Sequence, residues 1–344
     1  MARDGGMGVT FMGGDVAAAT EMAVGAEARG FSSAWTAEFY DRSATISLAA
    51  MAAATHRIRL GSAIMYAFGR SPVMTAAVAR DLDELSGGRL VLGLGTGTTG
   101  QVQDWHGLPP EHLASRLEEL VPLLRRLWNL DQGPVIHEGR FYRVKLHPVV
   151  QMAPPLRREV PIYIAGVNPR MVEAAGRVGE GLVGHPLFSP EYVAEVVRPA
   201  LDRGSRRAGR KGPVPIAGYV LCAVADSEEE GARAAAAQIA FYTVVKTFNS
   251  VLALHHFDEE AAVIRQAFKA RDMQAAIGGV SPRMLDAFAV YGTPEQARQR
   301  FEARFAGVYE EPLLFPPSVG LAGPPQQRLR DLMLDTFALT GVAA

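Results

Sequence analysis

The sequence predicts a (β/α)8 barrel, an α/β fold in which eight parallel strands alternate with eight helices. Short apolar runs alternate with segments of helical periodicity eight times along the 344 residues. This length exceeds the roughly 250 residues of a bare barrel, so insertions are expected. We expect one domain, residues 1–344, with a hairpin insertion before strand 5 at about 131–150 and a helical insertion after strand 7 at about 238–290.

The first four strand and helix pairs follow one another along the chain. Alanine, leucine and charged residues recur at helical spacing after each apolar run. The predicted pairs are Met7–Met12 with Asp15–Arg29, Phe31–Thr36 with Ser43–Thr55, Ile58–Met65 with Val73–Leu85, and Leu90–Gly95 with Glu111–Leu127. The fourth helix begins late because Pro109 and Pro110 favour a helix start over a helix interior.

The second half repeats the alternation around the two insertions. VIHEGRFYRVKLHPVV predicts a hairpin that turns at Glu138-Gly139. Thr293 is an expected N-cap with Pro294 at the first helical position. The remaining predicted elements are Pro161–Gly166 with Pro169–Val178, Gly181–His185 with Glu191–Gly209, a strand at 213–226 with Glu228 to about Tyr242, the helical insertion to about Pro282, a helix within 292–307, and a strand within 308–317 with Gln326–Leu339.

Composition argues against several classes of partner. The 35 basic and 36 acidic side chains give a formal net charge of -1, so no overall field attracts nucleic acid or an anionic membrane. Cys222 is the single cysteine, which excludes a disulfide framework and a cysteine-based metal site. No apolar run reaches the roughly 20 residues of a membrane span, and the N-terminus lacks a signal core. We expect a cytoplasmic protein whose partner is a small-molecule substrate.

The stretch Gly95-Thr-Gly-Thr-Thr-Gly100 fits the dinucleotide pattern G-x-G-x-x-G. That pattern needs a helix that opens at the motif and an acidic residue about 20 positions later at a strand end. Here Trp105–Pro110 separates the motif from the predicted helix, and Glu118 and Glu119 fall inside that helix. We therefore interpret the motif as a glycine-rich loop at the carboxyl end of a barrel strand, where a ligand approaches the backbone.

Several motifs, in this order, resemble the bacterial luciferase-like superfamily of flavin and deazaflavin oxidoreductases. They are ARDLDELSGGRLVLGLGTGT, HEGRFY, VPIYIAGVNPRMVEAAGRVGEGLVGHPLFSPEYV and YGTPEQARQRFEARFAG. TGTTGQVQDWHG, HPLFSPEYV and IAFY are most similar to the actinobacterial group that depends on coenzyme F420, a 5-deazaflavin. The resemblance covers nearly the whole chain and implies a (β/α)8 barrel, an F420 cofactor and a homodimer.

The resemblance also implies functional residues at the strand ends. In relatives the third strand ends in a bulge with a non-proline cis peptide beneath the deazaflavin, which would lie between Ala63 and Ile64, next to Met65. Relatives have an acidic residue and a histidine after strand two, where this chain has Glu38 and Phe39. Glu38 is either a general acid or base, or a residue that holds the loop.

Two further loops are implied to contact the cofactor. Thr96, Gly97 and Thr98 follow strand four, and Thr98 stands where some relatives have a catalytic glutamate. Gly166, Val167 and Asn168 follow strand five and precede the helix start at Pro169. Backbone N–H groups at such a start bind an anion such as the cofactor phosphate without any particular side chain.

Position along the barrel adds further candidates. His185 follows the predicted strand six, on the face where barrel active sites lie, and is a candidate catalytic residue. Trp105 and His106 follow strand four and are expected in a substrate pocket with Phe39 and Tyr66, and Phe68 is a possible further wall. The other histidines lack a second ligand at helical or strand spacing, so no metal site is expected.

Three functions follow from this comparison of residues. The first is hydride transfer between coenzyme F420 and a small organic substrate, since a deazaflavin transfers two electrons and does not readily activate oxygen. The second is an FMN-dependent luciferase-like monooxygenase. The third is a cofactor-binding barrel without turnover, because Phe39 and Thr98 replace acid–base residues of relatives.

Overall fold

The protein has a (β/α)8 barrel fold, as the alternation of elements predicts. A computed structural model describes residues 6–339. The strands of the barrel pair in parallel, and a separate two-stranded hairpin is antiparallel. The strands are β1 (Gly8–Phe11), β2 (Ser33–Ala37), β3 (Arg59–Tyr66), β4 (Leu90–Gly95), β5 (Val135–Glu138), β6 (Arg143–Leu146), β7 (Ile162–Ala165), β8 (Gly181–Val183), β9 (Ile216–Val224), β10 (Ala289–Gly292) and β11 (Glu311–Phe315).

Helices follow the barrel strands, and several carry the caps that their sequence predicts. Thr293 and Gln296 form a reciprocal capping box with Pro294 at the first helical position. The α-helices are α1 (Val16–Ala28), α2 (Ala44–Ala54), α3 (Pro72–Leu85), α4 (Leu113–Trp128), α5 (Pro169–Val178), α6 (Pro190–Tyr192), α7 (Arg198–Arg207), α8 (Glu228–Thr243), α9 (Asn249–Leu254), α10 (Asp258–Lys269), α11 (Met273–Gly278), α12 (Pro282–Phe288), α13 (Pro294–Arg304) and α14 (Pro324–Thr336).

The described chain divides into two compact units. The first unit contains residues 6–34, 184–199 and 215–339. Its strands lie in the order β10, β9, β11, β1, and its core includes the fully buried rings of Phe188, Tyr192, Phe288 and Phe315. The helical insertion is confirmed, since α9 to α12 lie between α8 and β10.

The second unit contains residues 35–183 and 200–214. It holds most of β2 followed by β3, β4, β7 and β8 in that order, with Trp35 and Trp128 among its largest buried side chains. The hairpin insertion is confirmed as the antiparallel pair β5 and β6, with Glu138 opposite Arg143. The expectation of one domain over residues 1–344 stays a prediction.

Two elements differ from the sequence analysis. The strand β10 was not predicted, because a four-residue apolar run between helices has no periodicity of its own and becomes a strand by pairing with β9. A five-residue π-helical turn, Gln101–Trp105, follows Gly100 directly. A short helical turn therefore does open at the glycine motif, although the long helix α4 begins only at Leu113, as the prolines predict.

Candidate functional site

A β-bulge interrupts the pairing of β3 with β4. Gly61 lies opposite Val91, but Met65 lies opposite Leu94, so β3 contains one extra residue. The Ser62 hydroxyl accepts a hydrogen bond from Gly93 N at 2.8 Å and donates one to Gly93 O at 2.9 Å, so it satisfies both backbone groups at the interruption. A Cβ on Gly93 would lie 1.5 Å from the Ser62 carbonyl oxygen, so only glycine fits there.

The expected cis peptide between Ala63 and Ile64 is wrong, because no peptide bond within residues 6–339 is cis. A non-proline cis bond costs about 3 kcal/mol, and here the bulge accommodates the extra residue with trans bonds. The bulge itself lies where the resemblance implied it. Ala63 and Met65 are buried, while Ile64 is half-buried and lies beside Gly95 of the neighbouring strand β4, where a Cβ would come within 2.9 Å of the Ile64 Cγ2.

Glu38 connects the end of β2 to this bulge. Its backbone N–H donates to Ile64 O at 2.7 Å, and its carboxylate Oε2 accepts from Tyr66 N at 2.8 Å. Arg70 Nη1 donates to Oε2 at 3.0 Å and Arg70 Nη2 donates to Oε1 at 2.6 Å. The side chain of Glu38 is only 5% exposed, so this buried charge is balanced by a bidentate arginine and a backbone N–H.

Charges and burial at this pair affect neighbouring groups. The hydrogen bond to Glu38 raises the pKa of the Arg70 guanidinium above its usual value, against the lowering effect of burial. Burial, and then the charge of Glu38, raises the pKa of Tyr66 to about 12. Tyr66 is therefore a neutral phenol at physiological pH, and the Arg70 guanidinium stays protonated.

Aromatic side chains surround a cavity of about 560 Å³ beside the ion pair. Trp105 meets Phe39 and Tyr40 edge to face, with ring centroids 5.3 and 5.6 Å apart. The ring centroid of Tyr66 lies 6.5 Å from that of Trp105 and 4.8 Å from that of His106. We call this cavity the aromatic pocket; its lining residues are Glu38, Phe39, Tyr40, Asp41, Arg42, Ser43, Tyr66, Gly69, Arg70, Trp105 and His106.

The four residues predicted for a substrate pocket, Phe39, Tyr66, Trp105 and His106, thus lie together in one cavity. That they contact a substrate stays a prediction. Phe68 does not line this pocket. It is buried, and the Arg116 guanidinium carbon Cζ lies 4.3 Å from the centroid of the Phe68 ring. His106 has a buried Nε2 with no hydrogen-bond partner among the described residues, which is unusual for a ring nitrogen shielded from solvent.

The loop after β4 is folded by its own hydrogen bonds. Thr98 N donates to Gln101 Oε1 at 2.7 Å, and Gln101 N donates to Thr98 Oγ1 at 3.3 Å. Gly97 has a φ of +71°, and a Cβ on it would lie 2.8 Å from Gln101 Oε1 and 3.1 Å from Tyr66 Cε1. Glycine is required by conformation and by space, and the Thr98 hydroxyl serves the loop where some relatives place an acid.

The residues predicted to bind a cofactor lie in the last part of β3 or directly after its neighbours β4 and β7 in the second unit. β3 pairs with β4 and β4 pairs with β7 in parallel, so Ala63–Met65, Thr96–Thr98 and Gly166–Asn168 lie along one edge of this sheet. Gly166 is buried and Asn168 is exposed directly before α5, whose first residue is Pro169. The structure therefore brings these nine residues to the carboxyl ends of adjacent strands, where barrel active sites are built.

His185 belongs to the first unit and has different surroundings. Its ring stacks on Phe248, with ring centroids 4.0 Å apart, and meets Tyr242 edge to face, with ring centroids 4.7 Å apart. Although part of the residue reaches the surface, this packing removes the imidazole from water and lowers its pKa to about 3. Leu187 N donates to Nδ1 at 3.1 Å, so the neutral ring carries its proton on Nε2.

Sequence reasoning missed Arg70, Tyr40, Asp41 and Arg42 as pocket residues. Arg70 could have been found from its place in YAFGRSP, the loop after the third predicted strand, as a partner for a carboxylate after the second. Within residues 6–339, no three His, Cys, Asp or Glu side chains lie close enough to hold a metal ion. No helix of the described chain is long and apolar enough to cross a membrane.

Comparison with known proteins adds similarity in sequence. The profile of the luciferase-like monooxygenase family matches residues 3–310. An uncharacterized protein of Mycobacterium tuberculosis is 34% identical over 305 residues, which cover 87% of this chain and 89% of that protein. The family profile includes all the strand ends of the candidate site described above.

Two solved structures have a similar fold. The coenzyme F420-dependent tetrahydromethanopterin reductase from Methanopyrus kandleri has a TM-score of 0.82 at 24% identity, with 97% of each chain covered. The oxygenating constituent of 3,6-diketocamphane monooxygenase from Pseudomonas putida, in complex with FMN, has a TM-score of 0.69 at 17% identity, with 97% of this chain and 96% of that chain covered. At these identities the two structures establish the fold.

Proposed function

Because the chain belongs to the luciferase-like monooxygenase family, we propose that it is a coenzyme F420-dependent oxidoreductase that transfers hydride between the deazaflavin and a small organic substrate. One observation carries this proposal. A β-bulge, a glycine-containing loop and a helix start lie at the carboxyl ends of the adjacent strands β3, β4 and β7. The similarity of fold to an F420-dependent reductase supports the deazaflavin as the cofactor.

The residues at this edge fit a flat heterocycle with an anionic tail. Gly95 and Gly97 leave bare backbone at the end of β4, and the side chains of Ile64 and Ala165 supply apolar surface on the two sides of Gly95. The ten-residue helix α5 begins at Pro169, directly after the exposed Asn168, and the partial positive charge of a helix start suits a phosphate. Ala63–Met65 and Thr96–Thr98 would thus hold the ring system, and Gly166–Asn168 the tail.

When bound, coenzyme F420 supplies a carbon centre that accepts or gives hydride in a two-electron step. The chain's own residues supply orientation. Glu38 fixes the bulge from both sides, through Ile64 O and Tyr66 N, so we assign it as a positioning residue. Three N–H groups already occupy its carboxylate, which disfavours proton transfer through Glu38.

His185 keeps its place as a predicted contact, with a narrower role. Its pKa of about 3 means that the ring is neutral at physiological pH, so it offers a neutral hydrogen bond from Nε2 and not a proton from an imidazolium. The aromatic pocket is our proposed substrate site, because Phe39, Tyr66, Trp105 and His106 enclose a cavity of a size typical for small-molecule ligands.

The test is a pair of binding titrations of the purified protein with coenzyme F420 and with FMN, followed by quenching of cofactor fluorescence. We expect the deazaflavin to bind in the micromolar range or tighter and FMN to bind much more weakly. Preference for FMN, followed by oxygen consumption with the reduced flavin, would overturn the proposal in favour of a monooxygenase, which the fold similarity to an FMN-containing enzyme makes the second candidate. Binding of the deazaflavin without turnover of any substrate would favour a non-catalytic barrel.

A matched pair of variants locates the cofactor site. Ile64→Glu places a charge on the apolar surface beside Gly95, and we expect it to weaken deazaflavin binding by at least about tenfold. Ile46→Glu makes the same change on α2 at a residue that is 58% exposed, and it should leave binding unchanged. Equal affinities of the two variants would place the cofactor elsewhere.

A further inference from the structure

The Glu38–Arg70 ion pair in the aromatic pocket is asymmetric. Both residues line the cavity, but the Glu38 side chain is only 5% exposed whereas the Arg70 side chain is 27% exposed. The carboxylate is thus enclosed by protein, and the guanidinium is the part of the pair that a ligand can reach.

Arg70 retains hydrogen-bond donors beyond its ion pair. A guanidinium has five N–H groups. Two donate to Glu38 at 3.0 and 2.6 Å, and a third makes a long contact of 3.5 Å to Thr45 Oγ1. The remaining two have no acceptor among the described residues, and in a pocket they are available to an oxygen of a bound molecule.

The charge balance decides which kind of oxygen fits. Glu38 already compensates the Arg70 charge. The other two charged residues at the pocket also pair with each other, since Asp41 Oδ2 lies 3.9 Å from Arg42 Nη1. A ligand carboxylate would add an uncompensated negative charge next to Glu38, where solvent screening is reduced. A neutral carbonyl oxygen accepts the same N–H groups without that repulsion.

The walls of the pocket indicate the rest of the ligand. Tyr40 is 74% exposed and Trp105 is 42% exposed, and these two rings with Phe39 present an apolar aromatic surface around the cavity. Exposed apolar surface at a concave site is characteristic of ligand binding, and aromatic rings favour stacked or edge-to-face partners. A ligand with a planar aromatic body matches such walls.

We propose that Arg70 is a specificity-determining residue, which donates its free N–H groups to a neutral carbonyl oxygen of a substrate with a planar aromatic body. This inference rests on the proposed function, because it names the substrate class of the same site. Arg70 would select aromatic ketones or aldehydes over aromatic carboxylates, and Glu38 would create that preference by compensating the arginine.

The experiment measures binding directly by calorimetry, using the full chain with and without saturating coenzyme F420. The probes are methyl 2-naphthyl ketone, 2-naphthoate and naphthalene, which share one ring system. We expect the ketone to bind about tenfold more tightly than either of the others, the lower end of the gain expected for a hydrogen bond from a charged donor to a neutral carbonyl. Equal affinity for the ketone and the carboxylate would overturn the proposal.

Three variants sharpen the result. Arg70→Met should reduce ketone affinity to that of naphthalene, and Arg70→Lys should restore part of it. Glu38→Gln should reverse the preference, since the uncompensated Arg70 then favours 2-naphthoate. Arg158→Met is the matched control, because it removes a bidentate arginine–carboxylate pair with Asp131 outside the pocket, and ketone affinity should stay within twofold of the parent.

Folding and cofactor binding are checked separately. Thermal unfolding shows whether each variant is folded. If Arg70→Met does not fold, Arg70→Lys still tests the role of the guanidinium. Ketone affinity unchanged in a folded Arg70→Met or Arg70→Lys protein would contradict the assignment of Arg70. If the cofactor titration fails while ketone selectivity holds, the proposed function is wrong and the pocket assignment survives; the opposite pattern means that only Arg70 was misassigned.

Discussion

Two regions of the molecule bury an ionisable side chain in opposite ways. In the second unit, Glu38 is paired with Arg70 and accepts a hydrogen bond from the Tyr66 N–H. In the first unit, His185 packs against Tyr242 and Phe248 with no charged partner among residues 6–339, and burial lowers its pKa to about 3. Both residues follow barrel strands and both were candidate catalytic residues, Glu38 with the alternative of holding its loop. Their partners, and not their places along the chain, decide whether a charge is present.

The largest effect is expected from breaking the compensated charge. Glu38→Ala leaves Arg70 without its carboxylate and Tyr66 N without its acceptor, so we expect the free energy of unfolding to fall by about 3–5 kcal/mol. Chemical denaturation measures this. Glu229→Ala is the control, since Glu229 pairs with Arg233 at 84% exposure and should contribute less than about 0.5 kcal/mol. A loss below about 1 kcal/mol for Glu38→Ala would show that the pair is not needed to hold the bulge.

The second expected effect concerns the backbone that the Glu38 contacts support. Ser62→Ala removes the hydroxyl that serves both Gly93 N and Gly93 O, and these buried groups then lack partners. We expect a loss of about 1–3 kcal/mol in the free energy of unfolding, measured by the same denaturation. Ser43→Ala offers a control. Ser43 makes no side-chain cap hydrogen bond at the start of α2, so this substitution should change the free energy of unfolding little. Equal losses from both serines would mean that the bulge tolerates unsatisfied groups.

The third effect is a pH dependence specific to His185. The pKa of its folded form, about 3, lies below the usual 6.5, so the unfolded chain binds the extra proton between these values. Stability from this group is fully present above about pH 6.5 and is lost as the pH falls, by at most about 1.4 kcal/mol per pH unit. Denaturation at pH 7.5 and pH 5.5 should show that the free energy of unfolding falls less on acidification for His185→Phe than for the parent. Identical acid losses would contradict the neutral, packed histidine.

The smallest effect on stability is expected at the mouth of the aromatic pocket. Tyr40 is 74% exposed, so Tyr40→Ser should change the free energy of unfolding by less than about 0.5 kcal/mol. The same variant should weaken binding of methyl 2-naphthyl ketone severalfold, because it removes one aromatic wall. Calorimetry and denaturation on one preparation separate the two outcomes. A ketone affinity equal to that of the parent would mean that the ligand lies deeper, against Phe39 and Trp105.

Much of the fold could be predicted because it depends on local patterns. The order of strands and helices follows apolar runs and helical spacing, and Thr293 with Pro294 begins a helix as its capping chemistry requires. β10 was missed because its four residues become a strand only by pairing with β9. The turn at Gln101–Trp105 was missed because Gln101 and Thr98 stabilise it through a reciprocal pair of hydrogen bonds.

The candidate site was predictable in its strand ends and not in its contacts. The motifs around Gly97 and Gly166 placed these loops correctly, since parallel strands bring their carboxyl ends to one edge. The trans bond at Ala63–Ile64 contradicted what the resemblance implied, because the bulge could be accommodated without a cis peptide. Arg70 was missed because its partner lies 32 residues away along the chain.

By itself the sequence determined the class of fold, the positions of its insertions and the family, because periodicity, capping residues and motifs are properties of neighbouring residues. Only the tertiary structure decided that Glu38 is compensated, that His185 is neutral and that Phe39, Tyr66, Trp105 and His106 share one cavity. These properties depend on which side chains meet across strands and loops. Burial and hydrogen bonding set the charge of a group, and neither can be read from spacing along the chain.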